Sequence, residues 1–315
     1  MNIKSILLFL MCITLQKVTA KEIDTTATIS IGGIQQYISI KGKSIDSPIL
    51  LYLHGGPGAA VSSHSDKVTQ QLEAHFVVVH WDQRGSGKTK ELNKPDALPT
   101  IEVMKQDAEE VLSHLLTRFN RKQIVVLGNS WGTVLGFHLA EKFPKKVSDF
   151  IAVSPIVNHT KSQKMALELL HNHFNKNKNI KAVAQLNTVK IPFEDAEQML
   201  ILHRWETVYN GSDFSDEQFK QYLSYFKGWS SQWMPLYQQL YRIDLEKQVP
   251  DLECPLYVLI GDKDLTTHHE LTKAYFDALK APQKELFWLE DVGHNIPGIA
   301  GDKIQEIVIK NIMND

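Results

Sequence analysis

Six apolar runs of strand length, at residues 48–53, 76–79, 124–127, 150–153, 256–260 and 286–289, constrain this chain more than any other feature. None alternates polar with apolar residues. A strand with one wet face alternates, whereas a strand buried on both faces does not. Helical patterns lie between several of the runs. Ile101, Met104, Ala108, Val111, Leu112, Leu115 and Phe119 recur at three- and four-residue spacing, with Thr100 placed to cap them. Strands alternating with helices build a mostly parallel sheet flanked by helices, so the fold class is α/β. Ahead of them, two β-type runs within residues 23–40 flank Gly32-Gly33 and read as a hairpin.

Residues 156–245 break the alternation. No strand run occurs there, and helical patterns at 161–174, 195–209 and 215–226 follow one another. This segment holds 13 of the chain's 28 aromatic residues, 11 of them between Trp205 and Tyr241. It reads as a helical cap inserted into a sheet domain formed by residues 21–155 and 246–315. Most of these aromatics should pack the cap's own core, and a few should face a pocket beneath it.

The start of the chain reads as a signal peptide, residues 1–20. Lys4 gives a basic start, residues 5–15 are apolar, and Val18-Thr19-Ala20 places small residues where a signal peptidase cuts. The apolar run is too short for a bilayer, which needs ~20 residues. No membrane span is therefore expected once the signal is removed, and the protein is expected to be exported, to the periplasm or outside the cell. Of the two cysteines, Cys12 leaves with the signal and Cys254 remains without a partner for a disulfide. The core must then hold without covalent staples, which this length allows. Asn158-His-Thr and Asn210-Gly-Ser fit the glycosylation acceptor pattern, relevant only to a eukaryotic secretory route. With 34 basic and 36 acidic residues in 315 and no basic block, nothing calls for a nucleic-acid partner.

Gly128-Asn129-Ser130-Trp131-Gly132 follows one apolar run and precedes a helical pattern at 133–143. This is G-x-S-x-G in strand–turn–helix context, a nucleophile elbow that lifts the Ser130 hydroxyl above the carboxyl edge of the sheet. The flanking glycines leave room that a Cβ would fill. A serine nucleophile needs a base, and the base needs an orienting carboxylate, in the chain order Ser, acid, His on such a fold. His294, just past the last apolar run, is the candidate base; His268 and His269 open a helical pattern and are expected on a helix surface. Asp264, after the run at 256–260, is the candidate acid, with Asp262 as second choice. The oxyanion needs two donors. The Trp131 amide is one. The other should come from His54-Gly55-Gly56-Pro57-Gly58, with Gly56 ahead of Gly55; His54 should hold that loop by hydrogen bonds.

Two imitations are set aside. Gly87-Lys88-Thr89 looks like the end of a phosphate-binding loop, but that loop needs glycine where Asp82 stands. His171-Asn172-His173 lies in an Asn-rich stretch without a matching carboxylate or cysteine cluster, so no metal is expected. Nor is any other cofactor.

The motifs His54-Gly-Gly-Pro-Gly58, Trp81-Asp-Gln-Arg-Gly-Ser-Gly87 and Gly128-Asn-Ser-Trp-Gly132 closely resemble those of proline iminopeptidases and related serine peptidases of the α/β-hydrolase superfamily. The resemblance covers about residues 48–155 and 256–297. It implies a capped α/β-hydrolase fold, a Ser130–Asp264–His294 triad, and the Gly56 and Trp131 amides as oxyanion hole. In that family a Trp-Glu pair on a cap helix binds the substrate's amino terminus, and Trp205-Glu206 looks similar. A second cap glutamate of the family has no counterpart in residues 225–233. A surface position for Glu206 is the competing reading.

The function expected is an exported serine hydrolase of proline iminopeptidase type, releasing amino-terminal residues from short peptides or amides through an acyl-enzyme. The alternatives are a carboxylesterase or other small-acyl hydrolase with the same triad, and an inactive hydrolase-fold binding protein. Epoxide hydrolases and dehalogenases need a carboxylate at the elbow, where this chain has Ser130.

Overall fold

The Gly32-Gly33 turn joins β1 (Ile23–Ile31) to β2 (Ile34–Gly42), pairing Ile31 with Ile34. Both glycines have positive φ, +54° and +75°, which lets a two-residue turn follow the twist of the strands. The protein is described here by a computed structural model covering residues 21–94 and 98–313, so the expected signal segment lies outside the described residues.

The apolar runs become β3 (Ile49–Leu53), β4 (Val77–Asp82), β5 (Ile124–Asn129), β6 (Val147–Val153), β7 (Leu256–Gly261) and β8 (Lys284–Leu289). The sheet order is β1-β2-β4-β3-β5-β6-β7-β8. β1 and β4 each run antiparallel to β2, and the remaining neighbours are parallel. Central strands are buried on both faces, as their unbroken apolar runs require. Leu51, Val79 and Val126 share one core with Met104 and Val111 of helix Ile101–Arg118 and Leu135 of helix Trp131–Lys142. Leu50, Val78 and Val125 share the opposite core with Ile304 and Val308 of helix Gly301–Ile312. Each such side chain taken fully out of water contributes about 1.5–3 kcal/mol.

β8 departs from its reading as a fully buried strand. Among the described residues its only sheet neighbour is β7, and Glu285 and Trp288 are exposed, Trp288 being 41 % exposed. Three residues apart on a strand, the two lie on opposite faces, so both faces of this edge strand are partly wet.

Between β6 and β7 the chain is helical: His159–Lys176, Ile180–Leu186, Ala196–Tyr209 and Asp216–Leu240, then a single turn at Leu245–Gln248. Asn158 caps the first helix by accepting from the Lys161 amide, and Asp195 caps the third. Ser215 and Gln218 form a reciprocal capping box at the fourth. That fourth helix runs well past residue 226, because Trp229, Trp233, Leu236, Tyr237 and Leu240 prolong its apolar spacing. Trp205 packs against Phe174 inside this insertion, ring centroids 5.0 Å apart. The fourth helix touches the sheet domain through Trp229 Nε1, which donates to the Pro57 carbonyl at 2.9 Å, and Gln232 Nε2, which donates to Gly85 at 2.7 Å. Cys254 is a buried free thiol. Among the described residues no helix is long and apolar enough to cross a membrane.

Candidate active site

Ser130 sits between β5 and helix Trp131–Lys142 with φ 49° and ψ −116°, a strained left-handed conformation for a residue with a side chain. The two flanking glycines make that turn possible. A Cβ on Gly132 would lie 2.0 Å from the Leu53 carbonyl oxygen, and one on Gly128 2.7 Å from the Gly132 oxygen. Ser130 Oγ is 2.9 Å from His294 Nε2. His294 Nδ1 is 2.9 Å from Asp264 Oδ2. The three residues that sequence order selects thus form one hydrogen-bonded chain, drawn from the carboxyl ends of β5, β7 and β8.

Asp264 is fully buried, and Thr267 holds both its oxygens: the Thr267 amide donates to Oδ1 at 3.0 Å and the hydroxyl to Oδ2 at 2.9 Å. Burial would raise its pKa, but the His294 imidazole and the Thr267 donors outweigh burial and hold it below the ordinary value. His294 is opposed in the same way. Burial works against its charge, while Asp264 and then Glu206 lift its pKa above the usual 6.5. Asp262, the second choice, makes no contact with His294, and its Oδ1 has no hydrogen-bond partner among the described residues. His268 is buried, not on a helix surface: the loop after Asp264 folds back on itself, with His268 at φ 47° and His269 Nδ1 donating to the Asp264 carbonyl at 3.1 Å.

The loop His54–Gly58 lies beside the elbow, and Gly56 lines the same cavity as Ser130. Among the described residues, none accepts from the backbone amide of Gly56 or of Trp131. The Trp131 amide is the first of its helix, where no intrahelical partner exists. His54 holds its loop as expected. Its Nε2 accepts from the Gln83 amide at 3.3 Å, which leaves the proton on Nδ1 to reach the Gly55 carbonyl at 2.9 Å. Burial pushes its pKa down to about 4, so it stays neutral near pH 7.

The segment Trp81–Gly87 ties these pieces together. Gln83 Nε2 donates to the His54 carbonyl at 3.2 Å, while Gln83 Oε1 accepts from the Trp131 indole at 2.8 Å. One side chain therefore spans the His54 loop and the elbow. Arg84 makes a two-pronged bond to buried Asp107, at 2.8 and 3.0 Å, and donates to the Gly32 carbonyl at 2.7 Å. Lys88 does not cradle a phosphate: its amide donates to Asp82 and its ammonium to the Tyr37 hydroxyl. His171 and His173 pair with Asn187 and Asn177.

Ser130 and His294 open into a cavity of about 700 Å³, within the range of small-molecule sites. Its roof comes from the helical insertion, including Phe193, Phe226, Trp229 and Tyr237. With Tyr225 they are the insertion's aromatics that line this cavity. Trp205 is not among them: its indole donates to Gln185 at 3.0 Å, and its ring is packed inside the insertion. Its place in the Trp-Glu resemblance is therefore structural. Glu206 is buried, not a surface residue, and takes a hydrogen bond from Thr266 Oγ1 at 3.1 Å. Thr266 itself lines the cavity. Burial raises the Glu206 pKa to about 7, with Asp264 adding to the rise and Thr266 and His294 opposing it.

The cavity also contains His159, Gln163 and His203, which the sequence reading passed over. His159 follows Asn158 in a glycosylation-type triplet, and His203 precedes Trp205 by two. Only the fold brings them near His294, whose charge contributes to lowering both pKa values after burial itself. Asn158 is buried at a helix cap, and Asn210 Nδ2 donates to the Lys263 carbonyl, so neither side chain is free.

Comparison with known proteins agrees with this fold. A probable aminopeptidase of Bacillus subtilis (strain 168) is 27% identical over 295 residues, covering 87% of this chain and 92% of the relative. A proline iminopeptidase of Lactobacillus delbrueckii subsp. lactis is 26% identical over 276 residues, covering 84% and 90%. The crystal structure of a proline iminopeptidase-related protein from Thermus thermophilus superimposes with a TM-score of 0.62 at 20% identity, covering 91% of this chain and 97% of that one. Residues 48–298 match the family described as alpha/beta hydrolase fold. With the sheet order, the elbow and that match in hand, the chain belongs to the α/β-hydrolase fold family.

Proposed function

We propose that the protein is a serine hydrolase that releases amino-terminal residues from short peptides or amides through an acyl-enzyme. The observation that carries this is the Ser130–His294–Asp264 hydrogen-bonded chain at the cavity. Ser130 Oγ attacks the substrate carbonyl carbon while His294 Nε2 takes its proton. Asp264 fixes the tautomer with Nε2 unprotonated and supports the imidazolium that forms. The amides of Gly56 and Trp131 receive the developing oxyanion. His294 then passes the proton to the leaving amine, and water repeats the sequence to free the acid.

The amino-terminal preference is supported by the named relatives and by Glu206. A substrate ammonium under the insertion needs an anion, and Glu206, which accepts from the cavity-lining Thr266, is the carboxylate we assign to it. One observation favours a second reading, a carboxylesterase: no Asp, Glu, Lys or Arg lines the cavity among the described residues. We further propose that residues 1–20 direct export and are removed, which amino-terminal sequencing of the native protein tests.

A fluorophosphonate should label the wild type and not Ser130→Ala, which should lose roughly 10³-fold or more in turnover. An unlabelled wild type refutes the hydrolase. Amino-acid naphthylamides against p-nitrophenyl esters then separate peptidase from esterase.

A further inference from the structure

Gln83, fully buried just past the end of β4, hydrogen-bonds to both of the segments proposed to supply the oxyanion donors. The Trp131 indole N–H can only donate, so the atom facing it at 2.8 Å is Gln83 Oε1. Gln83 Nε2 then points the other way and donates to the His54 carbonyl at 3.2 Å. Reversing the amide would set donor against donor at one end and acceptor against acceptor at the other. The Gln83 backbone N–H adds a second hold on His54, donating to its Nε2 at 3.3 Å. Water is no substitute for these bonds, because Gln83, His54 and Trp131 are each at most 1 % exposed.

Each end of this bridge lies next to one proposed donor. Trp131 carries the first amide of its helix, and its bulky indole is a stiff lever on that peptide. Gly56 follows His54 by two residues, and the Pro57 carbonyl on its far side is held by the Trp229 indole at 2.9 Å. Gly56 has φ +111°, in a region where glycine moves at little cost, so the direction of its amide depends on what anchors its neighbours. An oxyanion gains both hydrogen bonds only where two N–H groups stand about 3 Å from one point.

We infer that Gln83 is a positioning residue for the oxyanion hole: by clasping His54 and the Trp131 indole it sets the separation of the Gly56 and Trp131 amides. Gln83 is not part of the cavity wall and, among the described residues, bonds none of the triad. Its effect therefore falls on the charged tetrahedral state and not on substrate binding. The inference rests on the hydrolase reading of this same site.

The test uses Gln83→Met, which keeps the length of the side chain and loses its bonds, and Trp131→Phe, which removes the indole N–H and keeps the backbone amide. Sites are counted with a fluorophosphonate, so misfolded protein is not scored. Each variant is given a short ester and its thionoester, in which sulfur replaces the carbonyl oxygen. Sulfur is larger and a weaker acceptor, so it gains less from the two amides. In both variants kcat per labelled site on the ester should fall about tenfold to a hundredfold, with KM within about threefold. The preference for ester over thionoester should shrink by a similar factor, which lost stability or a displaced His294 would not produce. The double variant should lose little more than the worse single one, because both changes cut one bridge. Additive losses, an unchanged preference, or full kcat in a folded variant overturns the inference and leaves the hydrolase reading standing. Should Gln83→Met fail to fold, Trp131→Phe decides alone. A wild type that fluorophosphonate does not label removes both.

Discussion

Replacing Asp264 by Asn tests the chain of hydrogen bonds at its buried end. Asp264 Oδ1 accepts from the Thr267 amide at 3.0 Å, a backbone donor that cannot reverse. An Asn side chain therefore keeps its carbonyl oxygen there and turns its NH₂ toward His294 Nδ1, where Oδ2 now sits at 2.9 Å. The NH₂ donates, so His294 must carry its proton on Nε2, facing Ser130. That imidazole cannot accept the serine proton, and its charged form has lost its counter-ion. A wrong tautomer of this kind costs roughly 10⁴-fold in kcat, on the order of 5 kcal/mol of barrier. Burst and steady-state kinetics on a p-nitrophenyl ester would read the loss. Stability should move as well, because Asp264 ionises below its ordinary pKa in the fold. A depressed carboxyl stabilises the fold above its unfolded pKa, and that contribution disappears as pH falls through the folded value. The gap in Tm between wild type and Asp264→Asn should accordingly narrow in acid. Asp262→Asn should keep most activity, since Asp262 touches neither partner. An active Asp264→Asn enzyme, or an inactive Asp262→Asn one, refutes the reasoning.

Other perturbations have equally definite outcomes. Glu206→Gln should depress kcat/KM for substrates with a free amino terminus and spare neutral esters of similar size; equal losses on both would make Glu206 structural. Glu206 ionises at about 7 in the fold against an ordinary 4.5, so the folded state binds its proton more tightly and wild-type stability falls as pH rises between those values. Urea denaturation of Glu206→Gln should escape that fall, a difference on the order of 3 kcal/mol between pH 4 and pH 8. Asp107→Ala takes the acceptor from Arg84 and from Gln36 Nε2 together, and should cost about 3–5 kcal/mol in chemical denaturation.

The sequence reading succeeded where local geometry forces the residue type. Ser130 between Gly128 and Gly132 is legible because no Cβ fits at either neighbour. Asp264 and His294 are legible because each follows an apolar run of strand length, and chain order then singles them out. Residues whose fate depends on what packs over them were not legible. Leu286 to Leu289 reads as a buried run, yet nothing in those letters says that β8 has a neighbour on one side only. Trp205 and Glu206 are adjacent, but one turns into the insertion and the other toward Thr266. His159 had no signal beyond being a lone histidine. Its partners Gln163, Tyr237 and Tyr241 gather around it only in the fold, two of them from more than 70 residues away.

The two hydrogen bonds from the fourth insertion helix have a consequence for re-engineering substrate scope. Trp229 ends on the Pro57 carbonyl, one residue from Gly56, and Gln232 ends on Gly85, two residues from Gln83. The insertion thus bolts onto the same two loops that flank the proposed oxyanion donors. Grafting a foreign lid in place of residues 156–245 would alter the recognition surface and unfasten the catalytic floor in one operation. A chimera that retains Trp229 and Gln232 separates those effects, so specificity could be exchanged module by module while the chemical step keeps its rate.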